Sequence, residues 1–86
     1  MSAKSKYIIF ENSLGMELPV VFSPLIEHRD IKLNDSSFKP VSAGFCLLAQ
    51  YEPYYDSVWG ESVSLRLESR PDIDAKILNK YLQYDC

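Results

Sequence analysis

Short apolar runs alternate with turn residues through the first 68 positions, and then the period changes. Tyr7-Ile8-Ile9-Phe10 is aromatic and β-branched, the composition of a strand. Asn12-Ser13-Leu14-Gly15 reads as a turn, and Met16 to Phe22 as the returning strand of a hairpin. Pro19 lies inside that strand and offers no ladder donor, which predicts an edge or a bulge. Ser23 can cap and Pro24 can open a short helix through Asp30. Asn34-Asp35-Ser36-Ser37 is a loop by composition.

Val41 to Ala49 predicts a third strand, with Val41, Ala43, Phe45 and Leu47 on one face. Ser42, Gly44, Cys46 and Leu48 form the other face, apolar enough to be covered as well. Val58 to Leu67 shows the cleanest alternation: Trp59, Val63, Leu65 and Leu67 against Ser62, Ser64 and Arg66. It predicts a fourth strand with one buried and one wet face, bulged at Gly60-Glu61.

After Ser69-Arg70-Pro71-Asp72 the spacing becomes helical. Ser69 is the expected N-cap and Asp72 the acidic partner at the helix start. Ile73, Ile77, Leu78, Tyr81 and Leu82 form an apolar stripe, with Asp72, Asp74, Lys76, Asn79, Lys80 and Gln83 facing away. The stripe predicts burial against the odd-numbered face of the last strand.

The fold expected is therefore α+β: a four-stranded antiparallel sheet of two hairpins, with one C-terminal helix packed on one face. At 86 residues the chain is expected to be one domain, 1–86, with residues 1–5 disordered and 84–86 a frayed tail. A chain this short has little room for both a core and a deep substrate cavity. The 47% hydrophobic content argues against disorder.

A formal net charge of -3 makes nucleic acid a poor expected partner, since affinity for phosphate backbones comes from Lys and Arg. The apolar runs are too short for a membrane span or a signal peptide core, so a cytoplasmic protein without a membrane partner is expected. Of the two cysteines, Cys46 lies in a strand pattern and reads as a buried thiol, and Cys86 as a free thiol. No Cys/His spacing suggests a metal, and no cofactor motif is present.

No catalytic set emerges. The single histidine, His28, stands between Glu27 and Arg29 and reads as a surface residue. No serine has nucleophile-elbow context, the three glycines make no phosphate loop, and Asp72 and Asp74 do not face each other on a helix. The expectation is a non-enzymatic protein. Tyr51, Tyr54, Tyr55 and Trp59 place four aromatics within nine residues around a turn. Tyr and Trp anchor protein interfaces, so these four are the candidate protein-binding residues. The acidic neighbours Glu52, Asp56 and Glu61 argue against base stacking. Self-assembly is the alternative, through the Gly44-Cys46-Leu48 face.

The segments Val41-Ser42-Ala43-Gly44-Phe45, Val58 to Leu65 and Ser69-Arg70-Pro71-Asp72, with Tyr7 to Asn12 and Leu18 to Phe22, resemble small uncharacterised proteins of tailed phages and prophages. The resemblance transfers no functional residue. It implies a protein made in a bacterial host cytoplasm that acts by binding a host or phage protein. Inhibition of a defence system such as CRISPR is a further alternative, by analogy.

Overall fold

The computed structural model describes residues 4–34, 36–48 and 55–82. Its main sheet has four antiparallel strands in the order β2-β1-β3-β4, from β1 (Lys4–Glu11), β2 (Glu17–Phe22), β3 (Lys39–Leu48) and β4 (Tyr55–Trp59). Two hairpins therefore meet along β1 and β3, as the alternation predicts, and one helix, α1 (Pro71–Leu82), lies on one face. β1 begins earlier than the apolar run suggests. Lys4 and Ser5, expected to be disordered, pair with Leu47 and Cys46.

The first hairpin closes where the turn residues demand it. The Asn12 side-chain carbonyl accepts the backbone N–H groups of Leu14 and Met16 at 3.0 and 2.9 Å. Gly15 supplies a φ of 84°, which a residue with a Cβ adopts only under strain. β2 is an edge strand, which accommodates Pro19. The segment after it is not a continuous helix. Ser23 organises a turn to Ile26, and a separate 3₁₀ turn spans His28–Asp30.

Both faces of the sheet are covered. On one, Tyr7, Ile9, Cys46 and Val58 pack with Leu78, Ala75 and Ile77 of α1. On the other, Ile8, Phe10 and Ala43 lie under Ile31, Leu33 and Phe38 of the long β2–β3 connection and under Leu65 and Leu67. Removing this apolar area from water is the main force holding the layers together. The helix thus sits on the side of Val58, not on the side of Trp59, Val63, Leu65 and Leu67 where the alternation pointed. Of the Gly44-Cys46-Leu48 face expected to serve self-assembly, Cys46 packs beneath the helix and Gly44 is buried in the single chain, and the Leu48 side chain lies outside those described.

The predicted strand from Val58 to Leu67 is broken. Gly60 takes a φ of 82°, and the chain leaves the sheet to form a separate two-stranded ribbon, β5 (Glu61–Ser62) with β6 (Leu67–Glu68). A turn containing Arg66 at φ 57° joins them. Ser62 is consequently buried and Val63 82% exposed, the reverse of the alternation. The buried Ser62 hydroxyl accepts the Leu65 N–H at 3.2 Å, so its burial leaves no unpaired oxygen.

The ribbon returns across β3 at Gly44. A Cβ there would stand 2.5 Å from the Trp59 carbonyl oxygen and 3.1 Å from the Ser69 Cβ. Gly44→Ala is expected to destabilise the protein by roughly 3 kcal/mol, because the obstruction is backbone. Gly15→Ala meets open space and carries only the positive-φ penalty of about 1 kcal/mol. Urea unfolding of the two variants checks the order.

Candidate functional site

Three groupings of polar and aromatic side chains stand out, and two lie where the linear pattern gave no sign of them. The first is centred on Asp74. Placed by the helical stripe on the solvent side, Asp74 is fully buried against the sheet. Its carboxylate accepts the Tyr7 hydroxyl at 2.5 Å, the Ser42 hydroxyl at 2.9 Å, the Arg70 backbone N–H at 2.9 Å and Arg70 Nε at 3.0 Å. Arg70 also donates to Glu17 at 2.6 Å, which ties the helix start to edge strand β2. Asp74, not Asp72, is thus the acid that reaches back to the start of the helix. Its burial rotates the buried face of α1 toward Asp74, Ala75 and Leu78. Ile73 and Tyr81, expected inside, are 51% and 47% exposed.

The electrostatics of this cluster follow from burial and from Asp74. Desolvation, then the hydrogen bond to Asp74 and its charge, push the Tyr7 hydroxyl far above the ordinary tyrosine range. Burial alone would lower the Arg70 guanidinium, but Glu17 and Asp74 together hold it above its usual value. Every oxygen of the cluster is engaged, and Tyr7, Ser42 and Asp74 have no accessible surface. The arrangement clamps α1 to β1 and β3, with Tyr7, Ser42 and Asp74 closed to solvent and Arg70 and Glu17 partly exposed.

The second grouping is an aromatic row on the opposite face. Phe22 of β2, Lys6 of β1, Phe45 of β3 and Trp59 of β4 stand in register across the sheet. The turn at Ser23–Ile26 brings the chain back over Lys6, whose Nζ donates to the Ile26 carbonyl at 2.8 Å. His28 then fills the space between the rings, edge-on to Phe22 at 5.4 Å and to Phe45 at 6.1 Å. It is buried, contrary to the surface position its charged neighbours suggested. Its Nε2–H donates to the Gly44 carbonyl at 3.0 Å, which fixes the tautomer. Burial lowers its pKa. The Gly44 bond opposes that shift, the Lys6 charge adds to it, and Glu27 works against it.

The third grouping is the predicted binding set. Tyr51 and Tyr54 lie outside the described residues, and Tyr55 opens β4 opposite Leu48. Trp59 ends β4 at 40% exposure, stacked on Phe45 with ring centroids 6.0 Å apart and planes 24° apart. Lys4 Nζ lies 5.0 Å from the Phe45 ring centroid. An open cleft beside this pair is lined by Phe45, Val63, Lys6, Glu27 and Glu61. The structure therefore adds Phe45 and Val63 to the surface around Trp59. Alternation hid Val63 by assigning it to a buried face.

Among the described residues, no group of three His, Cys, Asp or Glu side chains is placed to hold a metal ion, and no helix is long and apolar enough to cross a membrane. Cys46 is free and buried, and burial pushes its thiol up to about 12, which makes it a poor nucleophile.

Asp74→Ala leaves the Tyr7 and Ser42 hydroxyls unpaired in the interior and is expected to cost roughly 3–5 kcal/mol. Tyr7→Phe removes one bond to the carboxylate and costs about 1–2 kcal/mol. The Arg70–Glu17 pair, partly in water, is worth less than about 1 kcal/mol in a double-mutant cycle. Denaturant unfolding of the set checks the ranking.

His28 predicts a pH dependence of defined sign. The unfolded chain takes its proton near pH 6.5 while the folded chain resists. The contribution is complete above about pH 6.5 and is lost as the pH falls below it toward the folded-state value. Replacement by Gln keeps a donor for Gly44 without a titrating ring. Wild type is expected to lose more stability than His28→Gln between about pH 7 and pH 5, measured by urea unfolding at each pH.

No protein-family model, no curated protein and no solved structure matches this chain, so its site is described by its own geometry.

Proposed function

We propose that this chain is a small, non-enzymatic protein-binding module whose docking surface is centred on Trp59. The observation that carries the reading is that Trp59, the one tryptophan, ends edge strand β4 with 40% of its surface in water while its ring is held by stacking on Phe45. A rigid, half-exposed indole offers large contact area with little rotamer entropy left to lose, as interface anchors do. Val63, 82% exposed beside the same cleft, extends the apolar surface. Lys6, Glu27 and Glu61 give it a charged rim. Tyr51 and Tyr54 precede β4 in sequence and Tyr55 opens it, and this reading assigns all three to the same surface. The resemblance to small tailed-phage and prophage proteins makes a phage or bacterial host protein the partner in this reading.

Self-assembly is the competing reading; of the Gly44-Cys46-Leu48 face on which it rested, Cys46 packs against α1 and Gly44 is buried within the single chain, while the Leu48 side chain lies outside those described.

The test is a pull-down from bacterial lysate with wild type, Trp59→Ala and the Tyr54→Ala/Tyr55→Ala double variant, followed by titration of the purified partner. Trp59→Ala is expected to weaken binding by roughly 2 kcal/mol or more while the thermal transition stays cooperative. Equal retention of the partner by wild type and Trp59→Ala rejects this surface. Concentration-dependent mass in light scattering, abolished by Trp59→Ala and with no captured partner, transfers the surface to self-association.

A further inference from the structure

On the sheet face away from α1, a groove of about 300 Å³ lies between the β2–β3 connection and the β5–β6 turn. Its floor is the ring of Phe10, and its walls are Ile31, Leu33, Phe38 and Leu65, all partly buried in the second core cluster. Two cations, Arg29 and Lys32, line its edge, and among the described residues no carboxylate does. Among the described residues the ion pairs involve Arg70 alone, so neither cation is neutralised by a described carboxylate within contact distance. Of the carboxylates adjacent in sequence, Asp30 and Glu11 do not line the groove, and Asp35 lies outside the described residues.

This combination is selective. An apolar cleft closed by two like charges, in a protein of net charge -3, complements a ligand with an apolar body and one anionic end. The volume is at the lower bound for small-ligand sites. It is well short of the roughly 800 Å² per partner that a protein interface of ordinary size buries. Arg29 offers a planar fork matched to a carboxylate, and Lys32 a point charge beside it. We propose that the groove is a binding site for a small free monocarboxylate with a saturated alkyl tail, the tail lying over Phe10 between Leu33, Phe38 and Leu65 and the carboxylate held by Arg29 and Lys32.

The probes are octanoate, 1-octanol and octylammonium, each below its aggregation threshold, titrated into the ¹⁵N-labelled full chain and followed by amide chemical shifts. Octanoate is expected to shift residues 29–33, 38, 39 and 65, and to saturate at roughly tenfold lower concentration than octanol, the scale of one charge-assisted contact. Octylammonium is expected to bind weakest. Arg29→Ala with Lys32→Ala, both exposed and outside the core, should erase the octanoate preference while leaving octanol unchanged. Equal affinity for octanoate and octanol, shifts centred on Trp59 and Phe45, or no saturable shift at millimolar octanoate each overturns the assignment. So does binding of an acidic peptide to the same residues when octanoate does not bind.

Discussion

Asp74 joins three parts of the molecule through one carboxylate. It receives hydrogen bonds from Tyr7 on β1, from Ser42 on β3 and from Arg70 at the start of its own helix, and Arg70 carries the connection on to Glu17 of β2. A charge with no access to water is tolerated only when donors replace its hydration, and here four bonds do so. The geometry that satisfies it fixes both the rotation and the height of α1 on the sheet. Leu78 then falls onto Tyr7, Ile9, Cys46 and Val58, and Ile73 and Tyr81 turn outward. Apolar burial supplies the larger free energy, but it is non-directional. The carboxylate selects one placement among those that hydrophobic packing alone would allow.

A second constraint on the sheet is steric. At Gly44 the chain that ends β4 passes so close to β3 that a methyl group has no room. That crossing, together with the positive φ of Gly60, lifts the β5–β6 ribbon out of the main sheet and over the second core cluster. It also places the Gly44 carbonyl where His28 can donate to it. The aromatic row from Phe22 to Trp59 is organised around that imidazole, with Phe45 between it and the exposed indole. A buried titrating group thus sits one ring away from the surface proposed to dock a partner.

The two outward features have different chemistry. The cleft bordered by Phe45, on which Trp59 stacks, has a mixed-charge rim, and the groove over Phe10 is an apolar slot whose charged lining among the described residues is Arg29 and Lys32. They are separated by the ribbon, whose Val63 borders the first and Leu65 the second. Substitutions at Trp59 and at Arg29 with Lys32 therefore probe distinct surfaces.

Local pattern determined much of this protein by itself. The period-two runs and Asn12-Ser13-Leu14-Gly15 specify a hairpin, Pro19 assigns β2 to an edge, and the change of period after Pro71 specifies the single helix. Each signal acts over a few residues, through backbone sterics or side-chain alternation, and so is written in the chain. The buried Cys46 and the four-stranded α+β layout were legible for the same reason. What tertiary structure alone decided are the positions whose environment is made by distant residues. Asp74 is buried because Tyr7, 67 positions away, supplies a donor, and hydropathy counts an acid as exposed whatever lies opposite it. His28 is buried because the turn after Phe22 folds back over Lys6 and meets the Gly44 carbonyl. Val63 and Ser62 exchange places because the break at Gly60 resets the alternation. Polar burial and strand breaks depend on partners across the fold, and no local period encodes them.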